Sequence, residues 1–151
     1  MNVIEVNSTE DIDHPPPDDI EHFCHRVLDY LQIHNWELSV LFCDDQYIKK
    51  LNHQYLQKPF PTDVLSFPQE ESYREGPDQY HAGDIVISVD TLEKNVDLFH
   101  VPYQEELARL IIHAILHLYG MDHQEDKHEM KNEMIQLQEQ ILRHIGRITE
   151  N

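Results

Sequence analysis

Residues 111–123 read IIHAILHLYGMDH, and the spacing of the three imidazoles in this stretch decides how the rest of the chain is read. An α-helix turns once per 3.6 residues, so His113 and His117 leave one face with Cβ atoms roughly 5 to 6 Å apart. Bound to one ion at ~2.0 to 2.1 Å in a tetrahedron, two ring nitrogens stand roughly 3.3 Å from each other, which ordinary rotamers on that face can supply. Gly120 then breaks the helix. Glycine tolerates left-handed backbone, so the chain can reverse through Met121 and Asp122 and bring His123 over the same face as a third ligand. Three protein ligands leave one position open, the arrangement of a catalytic zinc rather than a closed structural one. Leu107, Ile111, Ala114 and Leu118 form the apolar stripe of the helix, and His113 and His117 lie beside it with Glu106 and Leu110, flanking the core. Twelve of the 151 residues are histidine, and such a triple arises by accident in roughly one such chain in fourteen. Context therefore has to separate a metal site from a half-buried polar edge.

Outward from this helix, the periodicities give a layered domain. Val3 to Val6 alternates as a first strand, and the polar stretch Asp11 to Asp19, with three prolines, leads into a helix that Asp18 or Asp19 can cap. Ile20, Phe23, Cys24, Val27, Leu28 and Leu31 recur at helical spacing along it. Trp36 to Phe42 is a β-rich run. Asp44 or Asp45 opens a second helix whose inward face is Tyr47, Ile48, Leu51 and Tyr55. Val64 to Phe67 and Asp84 to Val89 are short strands. Between them QEESYREGPDQYHA is polar and carries Pro and Gly, as expected of a mobile loop lying over a substrate path. Thr91 to Leu98, Tyr103 to Tyr119 and Lys127 to Ile145 are helices, the last presenting Met130, Met134, Leu137, Ile141 and Ile145 to the core. Four strands in a mixed sheet with about five helices make an α/β (α+β) fold, one layered domain over residues 1–151 with a zinc-hydrolase-like metal helix.

A chain of this length buries about two thirds of its unfolded surface in one core. Hydrophobic residues are 40% of the total, and no apolar run reaches the ~18 to 20 residues that span a bilayer. MNVIEVNSTEDIDH lacks the positive start and apolar stretch of a secretion signal, so a cytoplasmic location is expected. Cys24 and Cys43 read as free thiols of a reducing compartment. Eleven Lys and Arg against 29 Asp and Glu give a net charge of −18, which opposes long-range attraction to nucleic acid. Any affinity for RNA must be local, supplied by a bound metal, by clustered cations such as Lys49, Lys50 and Lys58, or by a partner protein; the same acidity also serves solubility.

The string HAILHLYGMDH resembles the signature of the YbeY family, bacterial single-strand-specific metal-dependent endoribonucleases, whose pattern is close to H-G-x-L-H-L-x-G-x-D-H; Ala114 stands where the family usually has glycine. Two further stretches support the resemblance in the same order: PTDVLSFP at Pro61 to Pro68, and the G-D-I strand from Gly83 to Val89. It extends over most of the chain from about Leu51. It implies a zinc-dependent enzyme with His113, His117 and His123 as ligands, acting on single-stranded RNA in 16S rRNA 3′-end maturation and ribosome quality control, with the ribosome or ribosome-associated proteins as partners. It also implies that Thr62, Asp63 and Ser66 lie at the mouth of the cleft. One departure concerns the substrate. The family usually has arginine directly after the tyrosine that leads into its loop, and here Tyr55 is followed by Leu56, which cannot hold a phosphate by two parallel hydrogen bonds. Lys58 offers a point charge instead. Arg109 is a poorer substitute, since helical side chains lean toward the N-terminus and carry its guanidinium away from the ligands.

A zinc ion with an open position makes hydrolysis the expected reaction class. Zinc peptidases of the HExxH type place a general base after the first histidine, where this chain has Ala114, which cannot move a proton. Phosphodiester cleavage asks less of a protein base when a metal-activated water or a ribose hydroxyl attacks, so RNA is the more compatible substrate and a metallopeptidase ranks third. The second alternative, set by Leu56, is a ribosome-assembly or RNA-binding factor with a structural metal and weak nuclease activity. Asp122 can orient a ligand imidazole or cap the turn after Gly120. His53, His81, His100, His128 and His144 share no spacing with a second donor and read as ordinary side chains. Imidazole also suits nickel, copper and iron, so zinc is the expected ion without being the only compatible one.

Overall fold

Residues 1–69, 80–121 and 127–149 are described by the computed structural model, without the side chains of 121 and 127–131. Its elements in chain order are β1 (Val3–Ser8), α1 (Pro17–Tyr30), β2 (Trp36–Cys43), α2 (Asp45–Leu56), β3 (Val64–Pro68), β4 (Tyr80–Ser88), α3 (Val89–Phe99), α4 (Tyr103–Leu116), a π-type turn (His117–Met121) and α5 (Lys127–Ile145). The four strands form one mixed sheet in the order β1-β2-β4-β3. β1 and β4 run parallel to β2, while β3 lies antiparallel on the far edge against β4. This is the α/β fold the periodicities predict.

One face of the sheet carries most of the core. Leu38, Val40 and Phe42 of β2 and Ile85 and Ile87 of β4 pack there with Phe23, Val27 and Leu28 of α1 and with α4. α4 is buried almost all round: Leu107, Ala108, Ile111, Ile112, Ile115 and Leu116 are all fully enclosed. The expected amphipathic helix is thus a central one, and His113 and His117, both half-buried, are its polar opening. On α5, Met134 and Ile141 are buried as expected and Leu137 and Ile145 pack at the margin; the Met130 side chain lies outside the described residues. α2 covers the other face, where Ile48 packs on Cys43, Leu65 and Val86.

Several local expectations need correction. α1 begins on Pro16 and Pro17 with no side-chain cap, and Asp18 and Asp19 sit in its first turn. Proline suits that position because its fixed φ is already helical and its missing N–H would have no partner there; the two acids instead meet the positive end of the helix dipole. α2 is capped by Asp44, whose Oδ1 accepts from the Tyr47 N–H at 2.8 Å. Its inward face is rotated from the expected one: Ile48 and Asn52 are buried, while Tyr47 and Tyr55 are exposed. Asn52 donates Nδ2 to the Phe60 carbonyl at 2.9 Å, which pins the chain leaving α2, while its Oδ1 is buried without a hydrogen-bond partner among the described residues.

β4 starts four residues earlier than expected, so the last three residues of the predicted loop belong to it; residues 70–79 lie outside the described residues. Between Glu37 and Leu38 the pairing of β2 with β4 skips a residue, because Glu37 faces His81 and Leu38 faces Gly83. This bulge breaks the alternation that a sequence pattern depends on. Gly83, at φ 146°, is needed there: a Cβ would run into the Phe67 carbonyl oxygen of β3 and stand 3.0 Å from Leu118. Among the described residues, no helix is long and apolar enough to cross a membrane. Cys24 and Cys43 are free and buried, and burial pushes both thiols up to about 12.

Candidate metal centre

α4 leaves the core at its C-terminal end, where regular helix stops at Leu116 and the π-type turn takes over. Gly120 closes that turn with φ 99° and ψ 16°, the left-handed conformation glycine accepts without a steric cost. Just before it, the Nε2 atoms of His113 and His117 approach to 3.0 Å, with ring planes at 72°. Two imidazole nitrogens come this close only with a proton or a cation between them, since facing lone pairs repel. The separation is close to the ~3.3 Å of two ligands on one tetrahedral ion, so the pair fits a metal. Among the described residues no three His, Cys, Asp or Glu side chains gather around a common point, so further ligands have to come from elsewhere. His123, the expected third donor, and Asp122 lie outside the described residues.

The two histidines form the floor of a cleft of about 950 Å³. One wall is the β3 edge, the other is α5 with Ile135, Gln138 and Glu139, and the end of α2 with its following loop supplies the mouth. Lys58, Thr62, Asp63 and Ser66, separated from the histidines by about fifty residues of sequence, all line this same cleft, and so does Leu56. Asp63 is tightly held. Its Oδ1 accepts from the Val64 N–H at 2.8 Å and its Oδ2 from Asn95 at 3.1 Å, while its backbone carbonyl accepts from the Ser88 N–H. It therefore starts the strand and faces the cleft at once. Ala114 also lines the cleft and is almost wholly buried, so the position after the first histidine offers no group that moves a proton.

Arg109 lines the cleft as well, but its donors are engaged. Nε and Nη2 reach Glu139 at 2.9 and 3.0 Å, and Nη1 reaches Glu106 at 3.1 Å. The side chain does lean toward the N-terminal end of α4, where Glu105 adds a longer contact at 3.6 Å. Hydrogen bonds from Arg109 hold the Glu139 carboxyl below its ordinary range. Burial pushes Glu106 up, partly offset by Arg109. Sequence reading missed both Gln138 and Glu139. Gln138, almost wholly buried, places Oε1 2.8 Å from His113 Nδ1 and donates Nε2 to Glu139 Oε2 at 3.0 Å. Their only signal was position, one helical turn beyond Met134 on the face of α5 that meets α4.

Of the other histidines, His81 pairs with Glu37 at 3.0 Å, His144 packs against Tyr30 with the rings tilted at 57°, and His100 takes the left-handed position that ends α3. The His53 backbone carbonyl accepts from Gln57 at the end of α2, and the His128 side chain is outside the described residues. On the opposite face of the sheet a second groove of about 520 Å³ runs under Tyr47, Tyr55 and Phe67.

The family model described as endoribonuclease YbeY matches residues 4–146. A protein of Treponema denticola named endoribonuclease YbeY is 48% identical over 136 residues, covering 86% of each chain. Proteins of the same name from Borrelia recurrentis and Persephonella marina are 46% and 42% identical, the alignments covering 83% and 80% of this chain and 84% and 77% of theirs. The solution structure of TM1509 from Thermotoga maritima superposes with a TM-score of 0.61 over 94% of this chain and 91% of that one; at 23% identity it shows the shared fold. With a family model spanning nearly the whole sequence and relatives well above a third identical, the chain belongs to the endoribonuclease YbeY family.

Proposed function

We propose that this chain, as one domain over residues 1–151, is a metal-dependent endoribonuclease. It cuts single-stranded RNA in 16S rRNA 3′-end maturation and ribosome quality control, in the cytoplasm and with ribosome-associated partners. His113, His117 and His123 hold one ion, zinc in the first instance, with nickel, copper and iron chemically compatible. The observation that carries this reading is the 3.0 Å approach of the two Nε2 atoms on the floor of an open cleft whose opposite wall is the PTDVLSFP strand. When bound, such an ion polarises a phosphoryl oxygen and lowers the pKa of its water toward ~7.

The chain's own groups do the rest. Lys58 supplies a point charge for a phosphate at the mouth of the cleft, and the hydroxyls of Thr62, just before β3, and Ser66, on it, donate to phosphate or ribose oxygens. Asp63, held on both carboxylate oxygens, shapes that wall and keeps β3 in register. Arg109 takes no phosphate, because Glu139 and Glu106 occupy its guanidinium. With no cleft arginine free among the described residues and −18 overall, RNA binding is weak, and with few phosphates neutralised its salt dependence is shallow. Asp122 serves beside His123 as an orienting carboxylate.

The test is cleavage of a short unstructured RNA and of the same strand in a duplex. Metal-restored cutting of the single strand alone, abolished by chelation, is the expected result; absence of any metal-dependent cutting would overturn the nuclease assignment. That negative result favours a second reading, an RNA-binding assembly factor, for which the specific observation is Leu56 lining the cleft where the family's arginine is expected.

A further inference from the structure

The contacts around His113 form a directed chain. Arg109 donates to Glu139, Gln138 donates Nε2 to Glu139 Oε2 at 3.0 Å, and Gln138 Oε1 faces His113 Nδ1 at 2.8 Å. A carboxylate can only accept, so it dictates which end of the Gln138 amide points toward it. The opposite amide orientation would set oxygen against oxygen at Glu139 and nitrogen against a ring nitrogen at His113. With Oε1 toward the ring, Nδ1 must carry the proton, and the Nε2 lone pair is left facing His117.

We infer that Gln138 and Glu139, anchored by Arg109, are positioning residues that fix His113 in the Nδ1–H tautomer and so prepare its Nε2 as a metal ligand. The inference rests on the proposed ligand role of His113 for its consequence, but the tautomer itself does not depend on a metal. The enclosure of the chain makes this selective. Gln138 is 7% exposed in the α5 wall of the cleft, so little of its amide is open to water that could pair with either orientation. Arg109 also keeps Glu139 ionised, holding its carboxyl below the ordinary range, and thereby keeps it a pure acceptor. A half-buried arginine beside a cation site would otherwise repel the ion; here two carboxylates neutralise it, and its role is to polarise the chain.

The tautomer is read directly in metal-free protein from long-range proton–nitrogen correlations of the histidine rings, at a pH of about 8.5 where imidazole is neutral. The parent protein is expected to show His113 with Nδ1 protonated and Nε2 bare. Glu139→Ala and, separately, Gln138→Leu should convert this to a mixed or Nε2-protonated ring and weaken zinc binding by about 10- to 100-fold. The exchange Gln138→Glu with Glu139→Gln reverses the donor between 138 and 139, keeps an acceptor oxygen on His113 Nδ1 and keeps the Arg109 Nη2 contact to residue 139 while giving up the Nε contact, and should restore the tautomer and most of the affinity.

A parent ring protonated on Nε2, or a tautomer unmoved in both single variants, overturns the inference. If the tautomer moves as expected while zinc affinity does not, the positioning chain stands and the ligand role of His113 falls, so the two failures are distinguishable. Glu139 is one third exposed, so its alanine variant is expected to fold; the exchanged pair provides the check on a variant that does not.

Discussion

Leu56→Arg probes the cleft at the position where the family resemblance leads to the expectation of an arginine. Leu56 is the last residue of α2, is 47% exposed and lines the same cleft as His113 and His117. A guanidinium placed there meets a phosphate in a pocket where, among the described residues, the only other arginine is held by Glu139 and Glu106. Hydrogen bonds to charged partners contribute about 1.5 to 3 kcal/mol net, and each 1.4 kcal/mol is roughly tenfold. The full range is thus roughly 10- to 150-fold in kcat/KM. The position is half open to solvent and Asp63 stands in the same cleft, so the lower end applies, a gain of about tenfold at low salt. Leu56→Lys, a point charge without the planar fork, should gain less. The assay is single-turnover cleavage of an unstructured RNA across a salt series, with melting temperature as a control, since an exposed helix-end substitution changes stability by only about 0.5 kcal/mol. A folded Leu56→Arg protein whose kcat/KM stays within about twofold of the parent at low salt would refute the reasoning that position 56 faces the substrate phosphate.

Further outcomes follow from the fold. Gly83→Ala forces a Cβ into the Phe67 carbonyl at a φ that alanine rarely adopts; it should cost about 3 kcal/mol and lower the melting temperature by about 6 to 12 °C, and an unchanged melting temperature would refute the bulge geometry. Removing the α2 cap with Asp44→Ala should cost about 1 kcal/mol, read in denaturant midpoints. Acid should destabilise the protein through Glu139 and Asp45. Glu139 is held low by Arg109, while at Asp45 burial raises the carboxyl and hydrogen bonds from Lys94, Thr91 and Ser88 more than offset it. A depressed folded-state pKa stabilises fully above the unfolded value and loses that contribution as pH falls through the folded one. Stability should therefore decline below about pH 4, and a Glu139→Gln, Asp45→Asn variant should flatten the decline.

Long periodic segments were legible in the sequence, and places where tertiary contacts override a local pattern were not. Lys127 to Ile145 has its predicted bounds, because nineteen residues of helical spacing leave little ambiguity. α2 kept its cap but not its face. Apolar spacing favoured Tyr47 and Tyr55 over Asn52, yet the tyrosines line the open groove on the far side of the sheet, and Asn52 is buried because Phe60 supplies an acceptor. The early start of β4 was hidden by the bulge at Gly83, which shifts alternation by one residue. In the site, the i, i+4 geometry of His113 and His117 could be derived from helix dimensions alone, and the structure returns 3.0 Å. The convergence of Lys58, Thr62, Asp63 and Ser66 on the same cleft came from motif resemblance, since spacing within one chain does not say which strand lies beside which helix. Gln138 and Glu139 had only their position on α5 as a signal, because their role exists only once α5 packs against α4.

The central claim is that His113 and His117 share one cation, and metal content tests it most directly. Protein stripped with a chelator, reloaded with zinc and desalted should carry about one ion per chain, as a single three-ligand site requires. The His113→Ala, His117→Ala double variant, shown to be folded by circular dichroism, should carry none. A folded double variant that keeps a stoichiometric transition metal would contradict the account.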